Sequence, residues 1–304
     1  MLDHRRMTLI DTATGAPATV RSIFERSSAI LRASGVTDPE VDAELLIGHV
    51  LGASRGRVQS LVVTDAALGA EDTVAIAEAV ERRAAREPLQ HITGVAWFRS
   101  LELAVGPGVF VPRPETEFVA QLAIDALRAV VPAEGAHPLA VDLGTGSGAI
   151  ALSLATEVPH AEVVAVENST AAFVWAKQNL RSVGAENARI VFIDLVDALP
   201  ELDGTVDVVA SNPPYIPVGA IPRDPEVRLH DPEHALYGGV DGLDVVRDVS
   251  ATAKRLLRPG GSLVIEHGDL QGAEMRALLS GDGWRAVATH RDLTGRDRAT
   301  TGIR

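Results

Sequence analysis

From about residue 108 onward, short apolar runs alternate with stretches of helical periodicity, and this alternation strongly constrains the fold. Strands that alternate with helices form a mostly parallel, doubly wound α/β sheet. Residues 284–290 and 299–303 are predicted to add two antiparallel strands at its edge. The predicted strands are 139–143, 162–167, 189–193, 206–210 and 261–267, and the predicted helices are 115–130, 147–157, 169–182 and 243–257.

The first hundred residues differ in composition and pattern. They are rich in Ala, Leu, Glu and Arg, with apolar residues at helical spacing. Asp38-Pro39 is typical of a helix start, because Asp or the preceding Thr37 can cap and Pro suits the first turn. A second helix is predicted over 71–86, ending before Pro88. The predicted division is a tail at 1–15, a helical domain at 16–88, a β-hairpin linker at 89–108 and an α/β domain at 109–304.

The first strand of the α/β domain leads directly into a glycine-rich loop. Glycine permits a sharp turn and lets a ligand approach the backbone closely. A dinucleotide loop would require a third glycine at position 149, where this chain has alanine, so the pattern argues against NAD. The residues predicted to line the cofactor here are Gly144, Thr145, Gly146, Ser147 and Gly148.

Acidic residues end the next two predicted strands. Glu167 follows Gly146 by 21 positions, about the spacing at which a carboxylate accepts hydrogen bonds from a cofactor ribose. Asp194 ends the third strand and is predicted to accept from an adenine amino group, with Leu195 against the ring. A surface aspartate is an equally good interpretation of Asp194.

The most specific motif is Asn212-Pro213-Pro214-Tyr215, which follows the fourth predicted strand. An amide or exocyclic amine nitrogen is a poor nucleophile because its lone pair is delocalised. The Asn212 side-chain oxygen and the Pro213 carbonyl can hold both N–H bonds and so orient that lone pair. Pro213 and Pro214 stiffen the loop, and the Tyr215 ring can stack on a planar group. Asn212, Pro213 and Tyr215 are therefore predicted to be catalytic, Asn212 to Tyr215 to bind substrate, and Asn212 also to border the cofactor.

The formal net charge of −13 has the wrong sign for a typical nucleic-acid binder, which presents a basic stripe to phosphates. Cysteine is absent, which excludes disulfides and thiolate metal sites and fits a reducing cytoplasm. His91, His234 and His267 have no spacing typical of a metal site, so no metal is expected. The three tryptophans are predicted to lie in the core.

Together these residues resemble the class I S-adenosyl-L-methionine-dependent methyltransferases, whose fold is Rossmann-like. More narrowly, nearly the whole chain is similar to the HemK/PrmC family, which methylates N5 of glutamine in peptide chain release factors. The Asn-Pro-Pro-Tyr loop alone is shared with DNA and RNA amino-methyltransferases. The further segments that carry the narrower resemblance are 87–94, 110–117, 232–239, 241–243, 266–268 and 295–298 with Gly302.

The resemblance implies S-adenosyl-L-methionine as cofactor and a release factor with a Gly-Gly-Gln motif as partner. It also implies that the helical domain helps to recognise that partner. Glu167 departs from the aspartate that is frequent at its position, and Leu195 stands where some relatives have an aromatic residue. We expect a monomer in the cytoplasm, without membrane attachment or direct nucleic-acid binding.

The sequence is also compatible with three other functions. One is a nucleic-acid amino-methyltransferase of the adenine N6 type, and another is a non-catalytic protein that binds S-adenosyl-L-methionine. The third, a nicotinamide oxidoreductase, predicts tight binding of NAD. For Arg113 and Glu117 the sequence allows two roles, a structural salt bridge or a contact with the cofactor.

Overall fold

The computed structural model describes residues 18–304, so the tail predicted at 1–15 lies outside the described residues. The described chain divides into two compact units. The helical unit comprises residues 18–94 and 222–230, and the α/β unit comprises residues 95–221 and 231–304. Each unit has a hydrophobic core of its own.

The helical unit is built from amphipathic helices, numbered here along the chain. The Thr19 side chain accepts a hydrogen bond from Ser22 N and begins the first of them. The predicted helix start at Pro39 is confirmed, although Asp38 makes no side-chain cap bond. The helices are α1 Val20–Ala33, α2 Pro39–Leu51, α3 Arg55–Val63, α4 Ala70–Ala84, α5 Leu89–Thr93 and α9 Pro225–His230.

Buried charge also holds the helical unit together. The Arg83 guanidinium pairs with Asp42 at 2.7 Å and with Glu226 at 2.8 Å, and Arg86 reaches Glu226 at 2.7 Å. Burial alone would raise the pKa of Glu226, but hydrogen bonds from the two arginines outweigh it and lower that pKa. These pairs explain why the short segment 222–230, far along the chain, groups with the N-terminal helices.

The α/β unit contains the sheet and the remaining elements. Its first pair, β1 Val95–Phe98 and β2 Leu101–Ala104, forms an antiparallel hairpin. The other strands are β3 Leu139–Leu143, β4 Glu162–Glu167, β5 Ala188–Phe192, β6 Val206–Ser211, β7 Leu257–Glu266, β8 Arg285–Arg291 and β9 Asp297–Ile303. Its helices are α6 Pro114–Arg128, α7 Ala149–Glu157, α8 Thr170–Val183, α10 Asp244–Leu256 and α11 Gly272–Gly281, with 3₁₀ turns at Leu195–Asp197, Pro200–Leu202 and Glu233–Ala235.

The predicted doubly wound sheet is confirmed. Its seven strands run in the order β5-β4-β3-β6-β7-β9-β8. The first five in this order are parallel, and β9 joins β7 antiparallel. Because β4 lies on one side of β3 and β6 on the other, the strand order reverses at β3. In open α/β sheets, ligands bind beyond the carboxyl ends of the strands at such a point.

The segment predicted as a hairpin linker differs in detail from the structure. Residues 89–93 are helical, and the hairpin that follows belongs to the α/β unit. Phe98, Leu101 and Leu103 are buried in that unit's core. The prediction that Trp97 is a core residue is wrong, because its position on the outward face of β1 leaves it 69% exposed. Trp284 is buried as predicted.

Within residues 18–304, every helix is too short or too polar to cross a bilayer.

Candidate active site

The two loops singled out in the sequence leave neighbouring strands at the same end of the sheet. β3 and β6 pair in parallel, with Asp142 opposite Ala210. Just beyond this register, Ser211 Oγ donates a hydrogen bond of 2.7 Å to the Leu143 carbonyl. The glycine loop follows Leu143 and the Asn-Pro-Pro-Tyr loop follows Ser211. Both loops therefore begin at the point where the strand order reverses.

Three positions of the glycine loop have a backbone conformation that would be strained in any residue with a side chain. Gly144, Gly146 and Gly148 all have positive φ, at 75°, 59° and 90°. Added Cβ atoms at Gly144 and Gly146 would meet nothing within 4 Å, so these two positions face open space. The amides of Gly144 and Thr145 both donate to the Val166 carbonyl at 2.9 Å, which ties the loop to β4.

Asp142 lies beneath this loop and is fully buried. Its Oδ2 accepts from Thr145 Oγ1 at 2.6 Å and from Ala151 N at 3.1 Å. Burial raises its pKa to about 7, although these two hydrogen bonds act in the opposite direction. Among residues 18–304, Oδ1 has no hydrogen-bond partner. Asp142 therefore fastens the start of the loop to the first turn of α7.

Glu167, the acid at the end of β4, lies against the glycine loop. Its Oε2 accepts from Gly146 N at 2.8 Å, and its Oε1 accepts from Asn168 N and Ser169 N. A carboxylate has about four acceptor positions, so these amides occupy three of them. A ribose diol that reached this carboxylate would share it with, or displace, one of the amides.

Asp194 and Leu195 lie just beyond β5. Asp194 is exposed, accepts from Asn168 Nδ2 at 2.9 Å and caps the turn Leu195–Asp197 through Val196 N. Leu195 is half-buried and packs against a core cluster. Asn168 therefore links the second and third strand ends, so that Glu167 and Asp194 border one side of the switch point.

The polar ends of the Asn-Pro-Pro-Tyr loop are directed toward two buried residues. Asn212 Nδ2 donates to Thr116 Oγ1 at 3.3 Å, and the Tyr215 hydroxyl donates to Glu266 Oε1 at 3.3 Å. With its Nδ2 on Thr116, the Asn212 amide presents Oδ1 as the end that can accept a hydrogen bond. This is the atom that the sequence predicted to act.

The backbone of the loop and of Ile216 after it is held by two further hydrogen bonds. Gln271 Nε2 donates to the Tyr215 carbonyl at 3.0 Å, and Gly238 N donates to the Ile216 carbonyl at 3.0 Å. A Cβ at Gly238 would lie 2.4 Å from the Pro214 carbonyl oxygen. Since that distance is far inside van der Waals contact, Gly238 permits an approach to the loop that another residue would prevent.

Glu266 ends β7 and is almost fully buried. Burial raises its pKa to about 7, while the Thr116 hydroxyl and the Arg298 charge act to lower it and Glu115 acts to raise it. The pKa of the Tyr215 hydroxyl is raised by burial and by Glu266. Tyr215 therefore stays protonated at neutral pH and acts as a hydrogen-bond donor, not as a base.

One further residue that holds the glycine loop in place, Asn179, was not identified from the sequence. Asn179, fully buried on α8, donates through Nδ2 to the Ser147 carbonyl at 2.9 Å and to the Ala104 carbonyl at 3.0 Å. Its Oδ1 accepts from Ala104 N at 2.7 Å. One side chain thus fixes the glycine loop and the hairpin at once. A polar residue amid the apolar positions of a predicted helix is the signal that could have revealed it.

The sequence did not determine the roles of Arg113, Glu117 and His267, and in the structure each has a partner. Arg113 pairs with the buried Asp231 at 2.7 Å and lies over the Phe110 ring. Glu117 accepts from Arg99 N at 2.8 Å. His267 is buried, and its Nε2 shares a hydrogen bond of 2.9 Å with Thr300 Oγ1.

Comparison with known protein families matches two parts of the chain. Residues 22–94 match the PrmC N-terminal domain, and residues 101–221 match the methyltransferase small domain.

Full-length relatives match nearly the whole chain. The release factor glutamine methyltransferase of Streptomyces coelicolor is 50% identical, with 88% of this chain and 92% of the relative covered. That of Mycolicibacterium smegmatis is 45% identical, with 94% and 98% covered. The 4-amino-L-phenylalanine/4-methylamino-L-phenylalanine methyltransferase of Streptomyces pristinaespiralis is 40% identical, with 96% and 97% covered.

Proposed function

This chain belongs to the release factor glutamine methyltransferase family, and we propose that it methylates N5 of the glutamine in the Gly-Gly-Gln motif of class I release factors. The observation that carries the proposal is the Asn212 amide, whose Nδ2 donates to Thr116 Oγ1 at 3.3 Å and whose other end, Oδ1, is a hydrogen-bond acceptor. A glutamine side chain offers the two N–H donors that such a site requires.

The cofactor is S-adenosyl-L-methionine, and the switch point suits it. Gly144 and Gly146 leave open space above the loop, and Glu167 and Asp194 supply acceptors at the next two strand ends. We propose that Gly144 to Gly148 line the cofactor, that Glu167 holds its ribose, and that Asp194 or Leu195 borders its adenine. When bound, the cofactor supplies a methyl group on a positively charged sulfur.

The loop residues would orient the acceptor nitrogen. Asn212 Oδ1 and the Pro213 carbonyl accept the two N–H bonds of the glutamine amide, so its lone pair is directed at the methyl donor. Pro214 stiffens the loop, and the Tyr215 ring stacks on the amide plane. The proton leaves the nitrogen after transfer, so no strong base is needed, in keeping with the raised pKa of Tyr215.

The helical unit would supply contacts to the release factor, as the sequence resemblance implies. The domain division that we propose follows the compact units, with the hairpin in the α/β unit. A monomer in the cytoplasm without direct nucleic-acid binding remains our expectation.

A second substrate class has specific support, since the relative from Streptomyces pristinaespiralis is named for a small aromatic amine. An arylamine nitrogen is also planar and carries two N–H donors, so the same loop would suit it.

The test offers three acceptors side by side, with labelled S-adenosyl-L-methionine as donor. They are a Gly-Gly-Gln release factor, 4-amino-L-phenylalanine and double-stranded DNA. We expect label in the release factor alone, abolished when its motif glutamine is replaced by asparagine. Label in the amino acid or the DNA, with none in the release factor, would reject the proposal.

A further inference from the structure

One connection in the α/β unit holds Tyr215 at two points. It runs from the end of β7 at Glu266 to the start of α11, and Gln271 is the residue immediately before that helix. At one end of the connection, Glu266 Oε1 accepts from the Tyr215 hydroxyl at 3.3 Å. At the other end, Gln271 Nε2 donates to the Tyr215 carbonyl at 3.0 Å. The same segment therefore holds both the side chain and the backbone of this loop residue.

The Gln271 amide has only one orientation that satisfies its partners. Its Oε1 accepts from Gly268 N at 2.9 Å, while its Nε2 donates to the Tyr215 carbonyl. A backbone N–H can only donate and a carbonyl oxygen can only accept, so a rotated amide would oppose both partners. Both distances lie in the ordinary range for N–H···O bonds. Gln271 is thus a bridge with a defined donor end and a defined acceptor end.

The bridge rests on a short turn whose backbone is itself hydrogen-bonded. Gln271 N donates to the Gly268 carbonyl at 3.0 Å, which closes the turn, and Met275 N donates to the Gln271 carbonyl at 2.9 Å at the start of α11. A Cβ at Gly242 would clash with both the Tyr215 carbonyl oxygen and Gln271 Nε2. These close contacts leave the Tyr215 carbonyl little room to move away from the bridge.

The place of the Tyr215 ring matters for the reaction proposed above, because the ring stacks on the plane of the acceptor amide. A misplacement of about 1 Å in a residue that positions substrate can cost about 10²-fold in rate. We propose that Gln271 is a positioning residue for methyl transfer, which sets the place of the Tyr215 ring by holding its backbone carbonyl. The inference rests on the proposed function, since that function gives the ring its role.

The test compares Gln271→Met with Gln271→Glu. Methionine is about as long as glutamine but has no N–H to donate to Tyr215. Glutamate retains the shape and the acceptor for Gly268 N, but as a carboxylate it faces the Tyr215 carbonyl with a second acceptor. We expect each variant to lower kcat for release factor methylation by about 10-fold at neutral pH. Both should bind S-adenosyl-L-methionine with parental affinity in calorimetry, which also reports that they are folded.

Gln178→Glu is the matched control for the change of charge. Gln178 is exposed on α8, outside the Asn-Pro-Pro-Tyr loop and the connection that holds it. This variant should retain the parental kcat. Loss of cofactor binding in both Gln271 variants would overturn the proposal, since Gln271 would then support the fold, and so would parental kcat in Gln271→Met.

Rescue by acid separates positioning from general support of the fold. A protonated carboxyl can donate where the amide did, so Gln271→Glu should recover activity as the pH falls from 8 to 5. Its kcat, as a fraction of the parental kcat at the same pH, should rise at least about twofold. The fraction for Gln271→Met should stay constant. A fraction for Gln271→Glu that does not rise would overturn the proposal.

The comparison at equal pH removes the titration of other groups. All three proteins share the ionisable residues on the connection or beside it, which are Glu266, His267, Asp269 and Asp297. Only the side chain at position 271 differs, so a change in the fraction with pH reports that side chain.

A readout without turnover keeps this inference distinct from the proposed function. The chain has two tyrosines, so ¹³C-labelled tyrosine gives two sets of ring signals, and Tyr215→Phe identifies those of Tyr215. These signals should shift in Gln271→Met and match the parent in Gln178→Glu. Failure of the parent to methylate a release factor would reject the function, while unchanged Tyr215 signals in Gln271→Met would reject the positioning role alone.

Discussion

Asp142 illustrates how one buried carboxyl can make stability depend on pH. Its pKa is about 7 in the folded protein, against an ordinary value of 3.8. The folded state therefore retains a proton that the unfolded chain releases. The resulting contribution to stability is complete below about pH 4 and is lost as the pH rises through about 7.

We expect Asp142→Asn to remove this pH dependence, because the amide does not titrate. Between pH 5 and pH 8, the parent should lose stability relative to the variant by up to about 2.7 kcal/mol. Urea unfolding of both proteins at the two pH values measures the difference. A gap between the two proteins that is the same at both pH values would contradict the raised pKa.

Asn179 is a second single residue that affects stability, and it does so through hydrogen bonds to the backbone. Replacement by alanine would leave the Ser147 carbonyl and both backbone groups of Ala104 without their side-chain partner. Unsatisfied buried groups cost about 1–3 kcal/mol each, so we expect a lower Tm and weaker binding of S-adenosyl-L-methionine. Thermal unfolding and calorimetry on Asn179→Ala check both effects. Parental cofactor affinity would show that the glycine loop does not need this anchor.

At the scale of elements, the Asn-Pro-Pro-Tyr loop depends on the segment that packs against it. We expect Gly238→Ala to displace the Pro214 backbone, since the added Cβ would meet its carbonyl oxygen at 2.4 Å. Release factor methylation should fall by about 10-fold or more, while cofactor affinity changes little. Steady-state kinetics and calorimetry provide the comparison.

Gly281→Ala is the matched control, because a Cβ there meets nothing within 4 Å at the end of α11. Its activity should equal that of the parent, and its stability should lie within about 1 kcal/mol. Equal activity in the two variants would mean that the loop tolerates displacement and that its backbone does not position the substrate.

The bounds of strands could be predicted where every residue of the strand is buried. β3 and β4 match their predicted bounds because strands buried on both faces are nearly continuous apolar runs. β7 begins at Leu257, four residues before its predicted start, since Pro259-Gly260-Gly261 interrupts the apolar pattern without ending the strand. α9 was not predicted, because one short turn gives no periodicity to detect.

The site was predictable only in part, for a related reason. A loop that directly follows a predicted strand can be located from the sequence alone. Gly144–Gly148 and Asn212–Tyr215 could therefore be singled out. The contact of Asn212 with Thr116 spans 96 positions, and that of Tyr215 with Glu266 spans 51. Such pairs are determined by strand order and helix packing, which periodicity does not report.

At the scale of the whole molecule, binding of the cofactor should couple to global stability. A ligand that binds only the folded state stabilises it by about 2.7 kcal/mol at one hundred times its Kd. We therefore expect Tm to rise with the concentration of S-adenosyl-L-methionine and not with NAD. A rise with NAD alone would indicate a nicotinamide site and contradict the assignment of the glycine loop.

The central claim is that Asn212 orients the glutamine amide for methyl transfer, and Asn212→Ala tests it most directly. The measurement is single-turnover transfer of labelled methyl to a Gly-Gly-Gln release factor, with cofactor affinity determined on the same samples. We predict a fall on the order of 10²–10³-fold in the transfer rate, as when a polar group aimed at the reacting centre is lost, with nearly unchanged cofactor affinity. Transfer at the parental rate would contradict the account.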